Sequence, residues 1–412
     1  MRRTPLLALY TADAISLSGN TVALLAIPWF VLITTGSPAL TGLAIFFNFL
    51  PVVLAGFFGG VIVDRLGFRT TSITADLASA AAVAAIPLLH TTVGIEIWQL
   101  MALVFLGALL DAPGTTARTS LFPDLVQLAD VRMERATGIR GAIQRGSLLV
   151  GAPLGGLLVA AFGATTALWL NAASFLVSAG LVAAFVPLVR REHEPTERRY
   201  LGELVEGLRF IWSHRLIRAI VATVLVTNFL DAPISVLLPV YAKEAFGSAA
   251  HVGVMFGVFG GFALVGSLVF SAIGHRLPRR LTFVSCFVVW AADYLVFATL
   301  PPLPVVLVAL AIGGLAVGPL NPLLGTLQFQ LVPAELRGRV FGAVTAGAWA
   351  AIPIGVLLGG LSAEAFGVGT TFLAIGICYV AVALFGFFNP AFREMDLVGV
   401  TREAAARERA PA

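Results

Sequence analysis

Three aspartates lie inside stretches that are otherwise strongly apolar: Asp13, Asp111 and Asp231. Each has polar company at helical spacing. Asn228, Asp231 and Ser235 are spaced i, i+3, i+7, and Asp13, Ser16 and Asn20 repeat that spacing. Gly107, Asp111, Gly114 and Arg118 share one helix face, as do Gly314, Gly318, Asn321, Gly325 and Gln328 on another. A carboxylate among lipid-like side chains is costly, so each is a candidate functional group. In a low-dielectric cavity such a group can load and release protons near neutral pH, and a cationic substrate would compete for its charged form. Asp231 leads as the proton or cation site, with Asp13 and Asp111 as companions and Asn20, Asn228, Asn321 and Arg118 beside them. Two readings stay open for Asp111, a proton site or a structural pair with Arg118. For Asp231 the alternative is a hydrogen bond that only packs helices. Asp293 finds no account at this level.

Other chemistries lack their residues. No Walker-type glycine–lysine loop is present, nor a His/Asp cluster at metal-ligand spacing, nor a nucleophile arrangement. Each histidine falls at or outside a helix end, which argues against histidine relays. Cys286 and Cys378 both lie in apolar runs and imply no disulfide framework. The expectation is a protein with no catalytic residues, cofactor or metal.

The elements that must position these groups follow from composition. Of 412 residues, 58% are hydrophobic and only 12% charged. Soluble domains carry about 25% charged residues, so this chain cannot cover a soluble surface and reads as an all-α polytopic membrane protein. Twelve apolar stretches are expected to span as helices: 5–34, 38–63, 70–89, 96–118, 139–162, 165–188, 216–243, 249–274, 281–300, 304–328, 339–366 and 369–389. Twelve spans put both termini and the even-numbered loops on one side. That side receives every arginine cluster, and the other receives Lys243 alone out of 26 basic residues. The positive-inside rule then makes both termini cytoplasmic, and the basic balance becomes a topology signal with no nucleic-acid partner behind it.

The polar segment 189–215 divides the chain, and its Leu201–Trp212 part is amphipathic enough to lie along the membrane surface. The expected organisation is a six-helix bundle over 1–188, this linker, a second bundle over 216–390 and a cytoplasmic tail over 391–412. The halves repeat one another. At a constant offset of 211, Pro28 meets Pro239, Gly36 meets Gly247, Gly42 meets Gly253, Arg65-Leu66 meets Arg276-Leu277 and Arg69 meets Arg280. Further on, GGLLVAAFG (155–163) answers GGLSAEAFG (359–367).

Gly60-x-x-x-Asp64-Arg65-x-Gly67-x-Arg69 is similar to the loop-2/3 signature of the major facilitator superfamily. Gly151-Ala-Pro153-Leu-Gly155-Gly156 resembles that superfamily's antiporter signature. IPWFVLITTGSP, DAPGTTARTSLFPDLV, LNAASFLVSAGLV and GLRFIWSH bring the chain nearest to the drug:proton antiporter branch that holds macrolide-efflux proteins and the enterobactin exporter. The resemblance implies two bundles rocking about a midplane cavity lined by the first, fourth, seventh and tenth spans, which are the four with polar stripes. It also implies that Asp64 and the loop arginines lock the cytoplasmic ends together, and Asp76 is placed with Arg65 or Arg69 in that gate. Topology anchoring is the plainer role for these charges. Helix packing is the plainer role for the glycines of the fifth span. Phe68 and Asn20 depart from the family pattern, where a basic and an acidic residue are common. Arg140 and Arg145, at the start of the fifth expected span, read as interfacial snorkelling.

The resulting expectation is a monomeric inner-membrane secondary transporter that exports an amphipathic small molecule in exchange for protons. Its rival is a siderophore exporter, in which Arg118 or Arg145 would bind the substrate. An importer and a non-transporting membrane protein are further alternatives.

Overall fold

The computed structural model describes residues 3–188 and 200–397, and for residues 55–66, 200, 201, 203 and 204 the backbone alone. The described chain is helical apart from short connections. Its helices are α1 (Thr4–Thr35), α2 (Pro38–Leu66), α3 (Phe68–Thr92), α4 (Ile97–Leu128), α5 (Met133–Phe185), α6 (Tyr200–Ser213) and α7 (Arg215–Asp231). They continue as α8 (Ile234–Phe246), α9 (Ala249–Ile273), α10 (Arg279–Ala298), α11 (Leu303–Val317), α12 (Leu320–Leu331), α13 (Arg337–Phe366) and α14 (Val368–Phe388). Among the described residues, ten helical stretches are long and apolar enough to cross a membrane, and Pro38–Leu54 is a shorter apolar helix. Helices are what a bilayer selects, because they satisfy their own backbone polar groups.

The interruptions have local causes. The long α5 is broken at Gly163, which adopts φ 84°, between the fifth and sixth expected spans. Gly367, its repeat counterpart, adopts φ 83° at the start of α14. Both are backbone conformations that only glycine takes without strain. The seventh expected span is split into α7 and α8 at Ala232-Pro233, and the tenth into α11 and α12 at Gly318-Pro319. A proline has no N–H for the carbonyl four residues back. In both breaks that carbonyl lies against a glycine of another helix: Phe229 O against Gly355, and Leu315 O against Gly266.

Two ends differ from expectation, and both matter for the site. The fourth helix runs to Leu128, ten residues past the expected end at 118. The fifth begins at Met133, six residues before the expected 139. Arg118 and Arg140 therefore sit well inside their helices.

Contacts divide the described chain into two units that are discontinuous in sequence. The first holds residues 3–188 with Ile234–Gly257 and Val356–Glu364, and the second holds 200–233, Val258–Gly355 and 365–397. Inside the first unit, backbones meet where Gly156 crosses Gly253 and where Gly42 crosses Gly360, which draws α9 and the end of α13 into it. Its core runs from Val22, Ala26 and Phe30 on α1 to Ala167, Leu168 and Phe175 on α5. In the second unit α10 packs along α14, and Ile211, Ile217, Val332 and Val340 form a smaller cluster.

Candidate functional site

Arg118 on α4 organises the first unit. Its side chain is 1% exposed and faces three carboxylates. Nη1 donates to Asp76 Oδ1 on α3 at 2.7 Å. Nε lies 3.0 Å from Asp13 Oδ1 on α1. Nη2 lies 3.8 Å from Asp111 Oδ1, two turns back along the same face of α4. Gly114, between Asp111 and Arg118, leaves the gap into which Ala75 and Asp76 of α3 fit. A guanidinium suits this place, since its fixed fork can serve several oxygens at once and it keeps its charge when buried.

Each carboxylate has further partners. Asp76 accepts from Ser178 Oγ on α5 at 2.7 Å. Asp13 Oδ2 pairs with Arg140 Nε of α5 at 3.3 Å, so this acid stands between two guanidinium groups. Arg140 also donates to Thr119 Oγ1 at 2.9 Å and lies over the Phe122 ring. Asp111 Oδ2 accepts from Asn20 Nδ2 at 3.0 Å, while its Oδ1 is buried without a hydrogen-bond partner. Three carboxyl groups and two guanidinium groups thus share one largely buried cluster.

The structure therefore brings together Asp13, Asn20, Asp111 and Arg118. It adds Asp76, which was expected at the gate: its carboxylate goes to Arg118 and Ser178, and Arg69 instead donates to the Ala183 carbonyl of α5. It also adds Arg140, whose snorkelling reading is overturned by a side chain only 13% exposed and paired with Asp13. Gly67 starts α3 with φ 79°, the conformation that turn needs. Gly60, Asp64 and Arg65 belong to α2 by backbone, and their side chains lie outside the described residues.

The antiporter-like stretch sits further along α5. Gly151 and Gly155 lie against Thr21 and Val22 of α1, and Gly156 and Pro153 against Gly253 and Gly257 of α9. Small residues there let helix backbones approach closely.

Asp231 occupies a different setting in the second unit, at the C-terminus of α7. Its Oδ1 accepts from Tyr379 of α14 at 2.6 Å and from Tyr294 of α10 at 3.3 Å. The two phenol rings stack with centroids 5.4 Å apart, and Trp290 stacks on Tyr379 at 6.2 Å. Among the described residues no ion pair reaches Asp231. Asn228 lies in the last turn of the same helix, where its carbonyl accepts from Ala232 N. Asn321 is exposed in the first turn of α12. Asp293 on α10 is buried against Gly313 of α11. The two tyrosines escaped sequence reading because their helices carry no polar stripe; a buried Tyr hydroxyl needing an acceptor was the available signal.

The family model described as transmembrane secretion effector matches residues 1–408. The chain is 33% identical over 401 residues to multidrug efflux pump Tap of Mycobacterium tuberculosis, with 96% of each chain covered. It is 23% identical over 393 residues to macrolide efflux protein A of Streptococcus pyogenes, covering 94% of this chain and 96% of that one. Among solved structures, nucleoside transporter NupG superposes with a TM-score of 0.75 at 11% identity, covering 95% of this chain and 98% of that one. A bacterial homolog of the human lysosomal transporter Spinster gives 0.71 at 14% identity, covering 97% of both chains. The expected superfamily and helical transporter fold are borne out. This chain is a multi-pass membrane protein that belongs to the transmembrane secretion effector family of major facilitator transporters.

Proposed function

We propose that the protein exports amphipathic drug-like compounds by alternating access, driven by protons moving the other way. The observation that carries the reading is the buried cluster around Arg118. A cluster with one carboxylate more than it has guanidinium groups becomes neutral on taking one proton, and desolvation makes that neutrality valuable. The names of the relatives, a multidrug efflux pump and a macrolide efflux protein, supply the direction and substrate class. Twelve spans in two bundles, cytoplasmic termini, an inner-membrane location and a monomeric state complete the proposal. So do a gating role for the loop-2/3 residues and an antiporter role for Gly151, Pro153, Gly155 and Gly156. Asp231 is the accompanying candidate for binding a substrate cation.

Arg118 is surrounded by three carboxylates at 3.0, 2.7 and 3.8 Å, and their negative charge disfavours an anionic siderophore there. Cationic and neutral substrates are favoured accordingly. The test is ethidium efflux from cells with an imposed proton gradient, comparing the native chain with Asp231→Asn. Loss in the variant at unchanged membrane level supports Asp231 as a cation site. Equal efflux moves that role elsewhere. Absence of efflux in native cells sinks the cationic-drug reading.

A further inference from the structure

We infer that Arg140 is a positioning residue for the proton site, and that by pairing the second oxygen of Asp13 it leaves Asp111 as the carboxylate that takes the proton. The inference rests on the reading of the Arg118 cluster as the coupling site.

The three acids are not equivalent. Asp76 has both oxygens engaged, one by Arg118 at 2.7 Å and one by Ser178 at 2.7 Å, and it is fully buried. Asp13 has a guanidinium beside each oxygen, at 3.0 and 3.3 Å, as close ion pairs without an aligned hydrogen bond, and its side chain is 7% exposed. Asp111 meets Arg118 only at 3.8 Å, leaves Oδ1 without a hydrogen bond, and has the most accessible side chain of the three at 19%. A proton goes where the anion is least compensated and where it can arrive. Asp111 is the least compensated of the three at Oδ1, and its side chain as a whole is the most exposed. On protonation its new O–H replaces a distant ion pair, and Asn20 still donates to the other oxygen.

Arg140 decides this order. Among the described residues, the titratable and charged groups facing the cluster are Tyr10 and Asp13 of α1, Asp76 of α3, Asp111 and Arg118 of α4, and Arg140 of α5. Without Arg140, Asp13 would share Arg118 with Asp76 and would compete with Asp111 for the proton. Arg140 is itself held in place by Thr119 and by the Phe122 face. It also belongs to the helix that carries the antiporter-like glycines, so a movement of α5 would change the pairing of Asp13.

The test uses the full chain in proteoliposomes, with ethidium uptake into acid-inside vesicles measured across external and internal pH. Arg140→Gln is expected to shift the pH midpoint of transport to the alkaline side by about one unit, because a positive charge beside a carboxyl favours the ionised form. The ethidium KM should stay within about twofold, and Arg140→Lys should restore the native midpoint. Asp13→Asn combined with Arg140→Gln removes both partners of one pair, so it too should return the midpoint toward native. Asp111→Asn should abolish gradient-driven transport while leaving downhill dye exchange. An Arg140→Gln protein whose rate falls with an unmoved midpoint overturns the inference. If Asp111→Asn keeps native gradient-driven transport and its pH profile, the assignment of the proton to Asp111 is overturned; if Asp13→Asn keeps both as well, the cluster is not the coupling site and the wider reading fails with it.

Discussion

Arg69 and Arg280, 211 residues apart, make the same kind of bond: each guanidinium donates to a backbone carbonyl near a helix C-terminus, Ala183 of α5 and Phe387 of α14. The last carbonyls of a helix have no intrahelical donor, and a cation there also meets the negative end of the helix dipole. The repeat has therefore preserved a capping interaction and not only a loop charge. Within each unit the arginine ties the start of one helix to the end of another.

Replacing Arg280 by Ala should remove that cap together with the stacking of its guanidinium on Phe387. Arg280 is half-buried, so solvent screening limits the loss to about 1 kcal/mol. The thermal midpoint of detergent-purified protein should fall by a few degrees while transport per molecule survives. Complete loss of transport at native stability would make the residue part of the transport cycle.

Arg118→Ala leaves three carboxylates in a buried site with one cation. Breaking a buried ion pair by removing one partner costs about 3–5 kcal/mol. The variant should be largely absent from membranes on an immunoblot. Arg118→Met with Asp76→Asn and Asp13→Asn, which removes the charges together, should recover much of the membrane level without recovering proton-driven transport.

Tyr379→Phe should destabilise more than Tyr294→Phe. The first removes a 2.6 Å bond to Asp231 Oδ1 and the second a 3.3 Å one. Hydrogen bonds to a charged acceptor are worth about 1.5–3 kcal/mol when well formed. Chemical denaturation followed by tryptophan fluorescence can rank the two, and equal effects would mean that the phenols share the carboxylate evenly.

A methyl group on Gly355 would run into the Phe229 carbonyl left without a donor by Pro233. Gly355→Ala should therefore cost about 1–3 kcal/mol, the usual penalty of overpacking. Gly156→Ala faces the backbone of Gly253 and should be similarly costly, whereas Gly180→Ala opens onto empty space and should change little. Comparing thermal midpoints of the three variants checks the contrast.

Much of the fold was written in one dimension. Composition and the spacing of apolar runs depend only on local residue types, and so membrane embedding and the helical class followed directly, while the family rested on the resemblance of the Gly60–Arg69 and Gly151–Gly156 stretches to known motifs. The repeat was legible for the same reason, and the matched left-handed glycines at 163 and 367 are its physical trace. The polar stripes on the first and fourth spans placed Asp13, Asn20, Asp111 and Arg118 as candidates.

Tertiary packing decided which of those groups meet. Asp76 and Arg140 join the cluster because α3 and α5 close around Arg118, and a residue's own helix says nothing about that. Arg118 and Arg140 looked like boundary charges, since an isolated arginine in an apolar sequence is cheapest at an interface. Their burial depends on partners from other helices, Asp13 and Asp76 of α1 and α3 for Arg118, and Asp13 and Thr119 of α1 and α4 for Arg140. Asp231 shows the same limit from the other side: sequence marked it as a costly acid, but its two phenolic donors lie 63 and 148 residues away and were fixed by the packing of α7, α10 and α14.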